Sequence, residues 1–410
     1  MHHPPEIFDQ WRRVPIVLNT PFSPWPSFTE EEANAVRDVI LSNKVNYWTG
    51  QECREFEKEF AVWAGTEYAI ALANGTVALD AALLALGIGP GDEVVVTPRT
   101  FLASVSSIVN AGAVPVFAEV ARDSQNITAE TIRAVLTPRT KAVICVHLAG
   151  WPCDIDPIME LANQHGLKVI EDCAQAHGAK YKGRPVGSIG HVGAWSFCQD
   201  KIMTTGGEGG MVTTNDRELW SRMWSMKDHG KSWDAVYERE HAPGFRWLHE
   251  SFGTNWRMLE VQAAIGRIQL RRMGDWHAAR LANCERIWSV AKALRGLRVP
   301  EIPQGTVHAG YKSYIFIEPA QLARDWSRDR ILGEISAQGV PCFSGSCSEV
   351  YLEKAFDGTG WRPTERLPVA RELGETSLMF LVHPTLMATE IEKTCSVLQK
   401  VMAAATSKVA

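Results

Sequence analysis

The chain has 410 residues, of which 45% are hydrophobic and 22% are charged, a composition typical of one large globular domain plus a smaller one. A formal net charge of -5 excludes the basic character of proteins that bind nucleic acid or membrane surfaces through bulk charge. No apolar run approaches the roughly 18 residues of a membrane span. The nine cysteines are scattered singly, without a Cys-x-x-Cys pair, so we expect no bound metal and a reducing, cytoplasmic location.

Short β-branched runs alternate with helical stretches from about residue 66 onwards. The apolar runs lie at residues 68–72, 94–97, 114–120, 142–148 and 167–170. Near-continuous apolar strands separated by helices predict an α/β fold with a mostly parallel sheet covered on both faces. Ligands of such sheets bind at the carboxyl ends of the strands, and the polar motifs of this chain follow those ends.

The pattern changes after about residue 265. Residues 265–294 predict a long linking helix, and residues 311–317 predict a strand within further α/β material. We therefore predict an N-terminal extension (1–20), a large domain (21–265) and a smaller C-terminal domain (266–410). Residues 227–252 lack clear periodicity and are rich in aromatic and basic side chains, as functional loops often are.

The first predicted strand leads into the motif NGTVAL at residues 74–79. Gly75 and Thr76 lie at a strand-to-helix turn, where free backbone N–H groups form an anion site. The alternative is that Thr76 merely caps the helix. Phe101 follows the next strand, and it either stacks on a ligand or belongs to the core.

Two later motifs point to a particular cofactor. Asp172 and Gln175 follow the strand at 167–170, and Ser196 and Lys201 lie on the next strand and its loop. A lysine that forms a Schiff base, with an acid that pairs with a ring nitrogen, is how proteins hold pyridoxal phosphate (PLP). A buried acid bonded to loop amides is the alternative for Asp172. The glycines at 206–210, which allow close backbone approach to a ligand, are also compatible with a plain loop.

In this order, the motifs resemble those of the DegT-type nucleotide-sugar aminotransferases. The resemblance runs from about residue 19 to residue 383, and its main motifs are NGTVAL (74–79), GIGPGDEV (87–94), VHLAG (146–150), EDCAQAHG (171–178), GEGG (207–210) and GTNWRM (253–258). It implies the type I PLP-dependent transferase fold. The large domain of that fold has a mostly parallel seven-stranded sheet, and a smaller C-terminal α/β domain follows.

The resemblance assigns roles to the residues of the cofactor site. Lys201 corresponds to the Schiff-base lysine, which also moves the proton between the substrate α-carbon and C4′ of PLP. Asp172 corresponds to the partner of the ring nitrogen and Gln175 to the residue at the ring hydroxyl. Phe101 stands where the family places an aromatic side chain against the ring.

The phosphate contacts follow from the same resemblance. Gly75, Thr76 and Ser196 match phosphate-binding positions of the family. Asn255 matches a phosphate contact that comes from the neighbouring subunit. The resemblance therefore implies a homodimer with shared active sites.

The substrates implied are glutamate, as amino donor, and a nucleotide-linked keto-sugar. The chain resembles most closely the branch that acts at C4 of UDP-4-keto-6-deoxy-N-acetylglucosamine, which includes enzymes of the bacillosamine type for surface glycans. The segments that carry this finer resemblance are SPWPS (23–27), NKVNYWTG (43–50), KDHGKS (227–232) and FRWLHESFGTNWRM (245–258). A related enzyme for a 3-keto sugar or keto-cyclitol is the main alternative. A non-catalytic PLP-fold protein that binds a sugar nucleotide is a second alternative, and the intact set of Asp172, Gln175 and Lys201 argues against it.

Candidate substrate-binding residues lie in these segments. The candidate donors to the sugar diphosphate are Lys231, Arg239, Arg246 and His249. Trp48 or Trp247 is a candidate to stack on the uracil. Arg257 is a candidate to hold a carboxylate of the amino donor, with an inter-subunit ion pair as the alternative. The loop that carries most of these residues is equally compatible with a dimer interface.

Overall fold

The computed structural model describes residues 22–407, so the predicted N-terminal extension (1–20) lies outside the described residues. The helices are α1 (Glu30–Leu41), α2 (Glu52–Ala64), α3 (Gly75–Ala85), α4 (Ala103–Asn110), α5 (Ala129–Arg133), α6 (Ile155–His165), α7 (Arg217–Lys227), α8 (Glu260–Lys292), α9 (Arg328–Ala337), α10 (Pro368–Thr376) and α11 (Ala388–Ala405). The strands are β1 (Tyr68–Leu72), β2 (Glu93–Val96), β3 (Val114–Phe117), β4 (Thr140–Val146), β5 (Lys168–Asp172), β6 (Lys180–Tyr181), β7 (Arg184–Pro185), β8 (Val192–Ser196), β9 (Gly210–Thr214), β10 (Leu297–Arg298), β11 (Thr306–Val307), β12 (Ser313–Ile317), β13 (Cys342–Phe343) and β14 (Ser377–Phe380).

The main sheet has seven strands in the order β1-β9-β8-β5-β4-β2-β3. The ladders from β8 through β5, β4 and β2 to β3 are all parallel. β9 runs antiparallel to both of its neighbours, β1 and β8. The predicted mostly parallel sheet of an α/β fold is therefore confirmed.

Helices cover both faces of this sheet, because its strands are apolar on both sides. On one face, α3 packs mainly against β8 and β9, α4 against β2 and β3, and α7 against β1 and β9. α3 has the sequence GTVALDAALLA, whose small side chains allow it to lie buried close to the sheet. On the other face, α5 and α6 cover β4 and β5, while α2 and the start of α8 cover β1, β8 and β9.

A second, antiparallel sheet has the order β10-β12-β14-β13. It packs with α9, α11 and the carboxyl half of α8 around a separate apolar cluster. α8 is one continuous helix of 33 residues, about 50 Å long. The domain boundary that we placed after residue 265 falls inside this helix. None of the helices within residues 22–407 is long and apolar enough to cross a membrane.

The register of the parallel strands places the polar motifs side by side. Val146 at the end of β4 is paired with Asp172 at the end of β5, and Asp172 is paired with Ala194 in β8. Ser196 then ends β8. These carboxyl ends open onto one cavity.

Candidate active site

The cavity has a volume of about 1100 Å³ and lies between the main sheet and the C-terminal sheet. Val146, Asp172 and Ser196 line it at the strand ends, and the N-terminus of α3 and the Lys201 loop complete this side. The other side is formed by residues from the segments 311–314, 343–347 and 379–381. Tyr311 and Lys312 are among the side chains that line it. A site of this size and position suits a cofactor together with a substrate.

Asp172 is buried at the floor of the cavity. The Ser104 hydroxyl donates to Asp172 Oδ2 at 2.8 Å, and the backbone N–H of Ala174 donates to Oδ1 at 3.1 Å. Burial raises the pKa of the Asp172 carboxyl, although the Ser104 and Ala174 hydrogen bonds oppose this rise. A protonated ring nitrogen would relieve the cost of burying this charge.

Lys201 enters the cavity from the loop that follows β8. Its Nζ lies 3.7 Å from Asp200 Oδ1 and 5.5 Å from the centre of the Tyr311 ring. The indole N–H of Trp25 donates to the Lys201 carbonyl oxygen at 2.8 Å. The loop is therefore tied to the N-terminal segment, while the ammonium group stays directed at the cavity.

The N-terminus of α3 supplies the anion site. Asn74, and not Thr76, caps this helix, because the Asn74 side chain accepts from the Val77 N–H at 3.0 Å. Thr76 is thus left to line the cavity. A Cβ atom on Gly75 would lie 2.6 Å from Cβ of Ser196, so only glycine lets α3 approach β8 this closely.

Gln175 and Phe101 line the same cavity. The Gln175 Oε1 accepts from the Ala149 N–H at 2.8 Å, which fixes the side chain and leaves its NH₂ group to donate. The Phe101 side chain is 72% exposed, which is unusual for a core residue but suits a ring that covers a bound cofactor.

The remaining predicted residues do not line this cavity in their own chain. Lys231 and Arg257 both form ion pairs with Asp228, with N–O distances of 3.3 Å and 2.6 Å. The Lys231 ammonium also lies 4.4 Å from the centre of the Trp48 ring. Arg257 is therefore paired within its own chain. The sequence had suggested two other partners for its guanidinium: a carboxylate of the amino donor, or an acidic residue of a neighbouring subunit.

The other predicted residues lie at the surface of the described chain. Arg239 pairs with Asp234 and Glu250, while Arg246, His249 and Asn255 are exposed. Their predicted contacts with a substrate or with a neighbouring subunit remain predictions.

Sequence reasoning missed several residues around the site: Trp25, Ser104, Asp200, Tyr311 and Lys312. Ser104 lies in the first turn of α4, which follows Phe101, and its place just after a strand end that carries a site residue is a signal that could have found it. Trp25 and Lys312 come from distant parts of the chain, and only the fold brings them to Lys201.

The buried histidines His177 and His383 do not line the cavity. His177 is buried against Trp195 and Phe197, and burial lowers its pKa to about 3. His383 stacks on Trp25 and bonds to the Thr385 hydroxyl through Nδ1 at 2.8 Å.

The family model described as the DegT/DnrJ/EryC1/StrS aminotransferase family matches residues 26–399. The chain belongs to this family. It is a PLP-dependent sugar aminotransferase, and the residues around the cavity fit the cofactor: a lysine, a buried carboxylate and a helix N-terminus open to a phosphate. The non-catalytic alternative is left without support.

Individual relatives agree with this assignment. The chain is 65% identical to the aminotransferase from Psychrobacter cryohalolentis in a solved structure, with a TM-score of 0.93 over 94% of this chain and 100% of that one. It is 36% identical to GDP-perosamine synthase of Caulobacter vibrioides over 89% of this chain and 95% of the relative. It is 34% identical to dTDP-3-amino-3,4,6-trideoxy-alpha-D-glucose transaminase of Streptomyces venezuelae over 87% and 89%. The type I PLP-dependent transferase fold is thereby confirmed.

Proposed function

We propose that the chain transfers an amino group from glutamate to C4 of UDP-4-keto-6-deoxy-N-acetylglucosamine, as a step in surface-glycan synthesis. The observation that carries the transamination chemistry is the meeting of Lys201, Asp172 and the N-terminus of α3 around one cavity. The support for this particular sugar is the resemblance of four segments to the branch of the family that acts at C4. These segments are residues 23–27, 43–50, 227–232 and 245–258.

The chain's own groups divide the work as follows. PLP, when bound, supplies an electron sink for the substrate carbon. Asp172 would hold the ring nitrogen protonated, and the Gln175 NH₂ group would donate to the ring hydroxyl. Lys201 Nζ would act as general base and then general acid: it would take the proton from the α-carbon of the amino donor and deliver it to C4′ of the cofactor, and it would carry a proton in the opposite direction during amination of the sugar.

We also propose a homodimer with shared active sites, located in the cytoplasm. Phe245, Trp247 and Phe252 have exposed fractions of 78%, 81% and 104%, and a cluster of such side chains is typical of a subunit interface. Asn255 and the substrate-binding candidates lie on or near the same segment. All nine cysteines are free thiols, which suits a reducing compartment.

A second candidate is amination at C3 of a nucleotide-linked keto-sugar. The name of the Streptomyces venezuelae relative specifies a 3-amino sugar, and the chain is similar to that protein over most of its length. The sugar carbon that receives the amino group, C3 or C4, is therefore determined by analysis of the product.

Two measurements test the proposal. Purified protein with PLP should show a visible absorption band that L-glutamate bleaches, and the Lys201→Ala variant should lack it. The glutamate-treated enzyme should then aminate UDP-4-keto-6-deoxy-N-acetylglucosamine, and nuclear magnetic resonance of the product should place the new amine at C4. Amination of a nucleotide-linked 3-keto sugar, with the amine at C3 of the product and no reaction with the 4-keto sugar, would select the second candidate.

A further inference from the structure

Lys312 is the second lysine that lines the cavity. It immediately precedes β12 and lines the cavity, with its Nζ 4.8 Å from the centre of the Tyr311 ring. No carboxylate within residues 22–407 lies at ion-pair distance from this ammonium group. Burial lowers the pKa of Lys312 to about 8, so the group is mainly charged at neutral pH.

The surroundings of Lys312 carry an excess of positive charge. Arg280 is a nearby, buried cation: its Nη1 donates to the carbonyl oxygens of Gly310 and Tyr311 at 3.4 Å, whereas Nε and Nη2 lack any partner in the described chain. Lys201 and Asp200 are the other charged groups near Lys312. Asp200 is engaged, because it accepts from the Tyr311 hydroxyl at 2.5 Å and lies 3.7 Å from Lys201. Buried cations without partners are costly, and an anionic ligand would remove that cost.

The position of Lys312 favours one of two substrate anions, the α-carboxylate of the amino donor or the diphosphate of the nucleotide sugar. Among the described residues that line the cavity, the cations are Lys201 and Lys312, and both lie within 5.5 Å of the centre of the same Tyr311 ring. Lys201 is required for the reaction itself. An α-carboxylate is attached to the carbon that carries the reacting amino group. The diphosphate of a nucleotide sugar, in contrast, is separated by the sugar ring from a keto group at C3 or C4.

We propose that Lys312, supported by Arg280, is the subsite that binds the α-carboxylate of the amino donor. This inference rests on the proposed function, since it requires an amino-acid donor. It assigns Lys312 a role that we had considered for Arg257, whose guanidinium pairs with Asp228 in this chain.

The test compares Lys312→Met and Lys312→Arg with wild type. The control is Lys168→Met, which removes the same charge from an exposed position at the opposite end of β5 from Asp172. Binding is measured by absorbance titration of the PLP-loaded enzyme with α-methyl-L-glutamate, which carries the α-carboxylate but no α-hydrogen to lose. Rates of both half-reactions, with L-glutamate and with the keto-sugar, are measured in parallel.

We expect Lys312→Met to weaken binding of α-methyl-L-glutamate about ten- to hundredfold, as loss of a charge-assisted hydrogen bond does. Lys312→Arg should recover part of this loss, and Lys168→Met should bind as wild type does. For 4-aminobutyrate, which lacks the α-carboxylate, Lys312→Met and wild type should bind equally.

Unchanged α-methyl-L-glutamate binding in Lys312→Met, or a loss confined to the keto-sugar half-reaction, would overturn the assignment. The second result would place the diphosphate at Lys312. Failure of the proposed function has a different signature: wild type itself would lack the Lys201-dependent band or its bleaching by glutamate, and the inference would fall with it.

Discussion

Ser104 stabilises the ionised form of the Asp172 carboxyl group. Its hydroxyl is one of two donors to the buried carboxylate, at 2.8 Å, and it also lies 2.9 Å from the Thr100 hydroxyl. We predict that Ser104→Ala weakens PLP binding about tenfold, because a hydrogen bond to a buried charge contributes roughly 1.5–3 kcal/mol. Titration of the apoenzyme with PLP, followed by absorbance, measures the change.

The pH dependence of PLP binding separates this effect from a general loss of structure. Burial already raises the pKa of Asp172, and the Ser104 hydrogen bond opposes that rise, so Ser104→Ala should raise the pKa further. The ionised carboxylate is the form that pairs with a protonated ring nitrogen. PLP affinity should therefore fall as the pH is lowered, and the fall should begin at higher pH in the variant. Ser106→Ala, on the same helix α4, should leave the profile unchanged, and a shift there would contradict the assignment.

At the scale of elements, the approach of α3 to β8 depends on Gly75. A methyl group at this position would lie 2.6 Å from Ser196 Cβ and 3.0 Å from its Cα, which belongs to a strand that cannot easily move. We predict that Gly75→Ala lowers the free energy of unfolding of the apoenzyme by about 1–3 kcal/mol through overpacking. PLP binding should weaken as well, since α3 and Ser196 move apart. Urea denaturation and PLP titration give the two quantities.

Gly274→Ala is the matched control for this substitution. Gly274 lies within α8, and a Cβ there meets no atom within 4 Å. Alanine should stabilise this helix by roughly 0.5–1 kcal/mol and leave PLP binding unchanged. If both alanine variants had the same stability as wild type, close packing of α3 on β8 would not be the reason for glycine at position 75.

The elements differ in how far the sequence predicted them. β1, β4, β5 and the end of the linking helix are close to their predicted positions, because apolar periodicity reflects burial directly. Asp172 and Lys201 were predicted because strand order places their motifs at one sheet edge. Trp25 and Lys312 were not, since their approach to Lys201 depends on long-range packing that no local pattern encodes. The loop at residues 227–252 likewise gave no periodic signal, and there the structure has a short π-helix, Asp234–Glu238, among exposed residues.

At the scale of the whole molecule, the open question is which subunit completes each active site. Asn255 is exposed and its backbone pairs with Asp228, away from the cavity of its own chain. Under the proposed dimer, Asn255 of one chain contacts the cofactor phosphate held by the other. An aspartate at this position would place a negative charge against the phosphate, so we predict that Asn255→Asp binds PLP poorly and has little activity.

Mixed dimers test the sharing of sites directly. Lys201→Ala and Asn255→Asp chains, co-expressed with different affinity tags, yield a heterodimer that can be purified from both homodimers. If Asn255 acts across the interface, one of its two sites combines an intact Lys201 with an intact Asn255. This heterodimer should recover about half of the wild-type rate per dimer, although each parent homodimer is nearly inactive. If Asn255 acts within its own chain, neither site has both groups, so a heterodimer as inactive as its parents would contradict the shared-site arrangement.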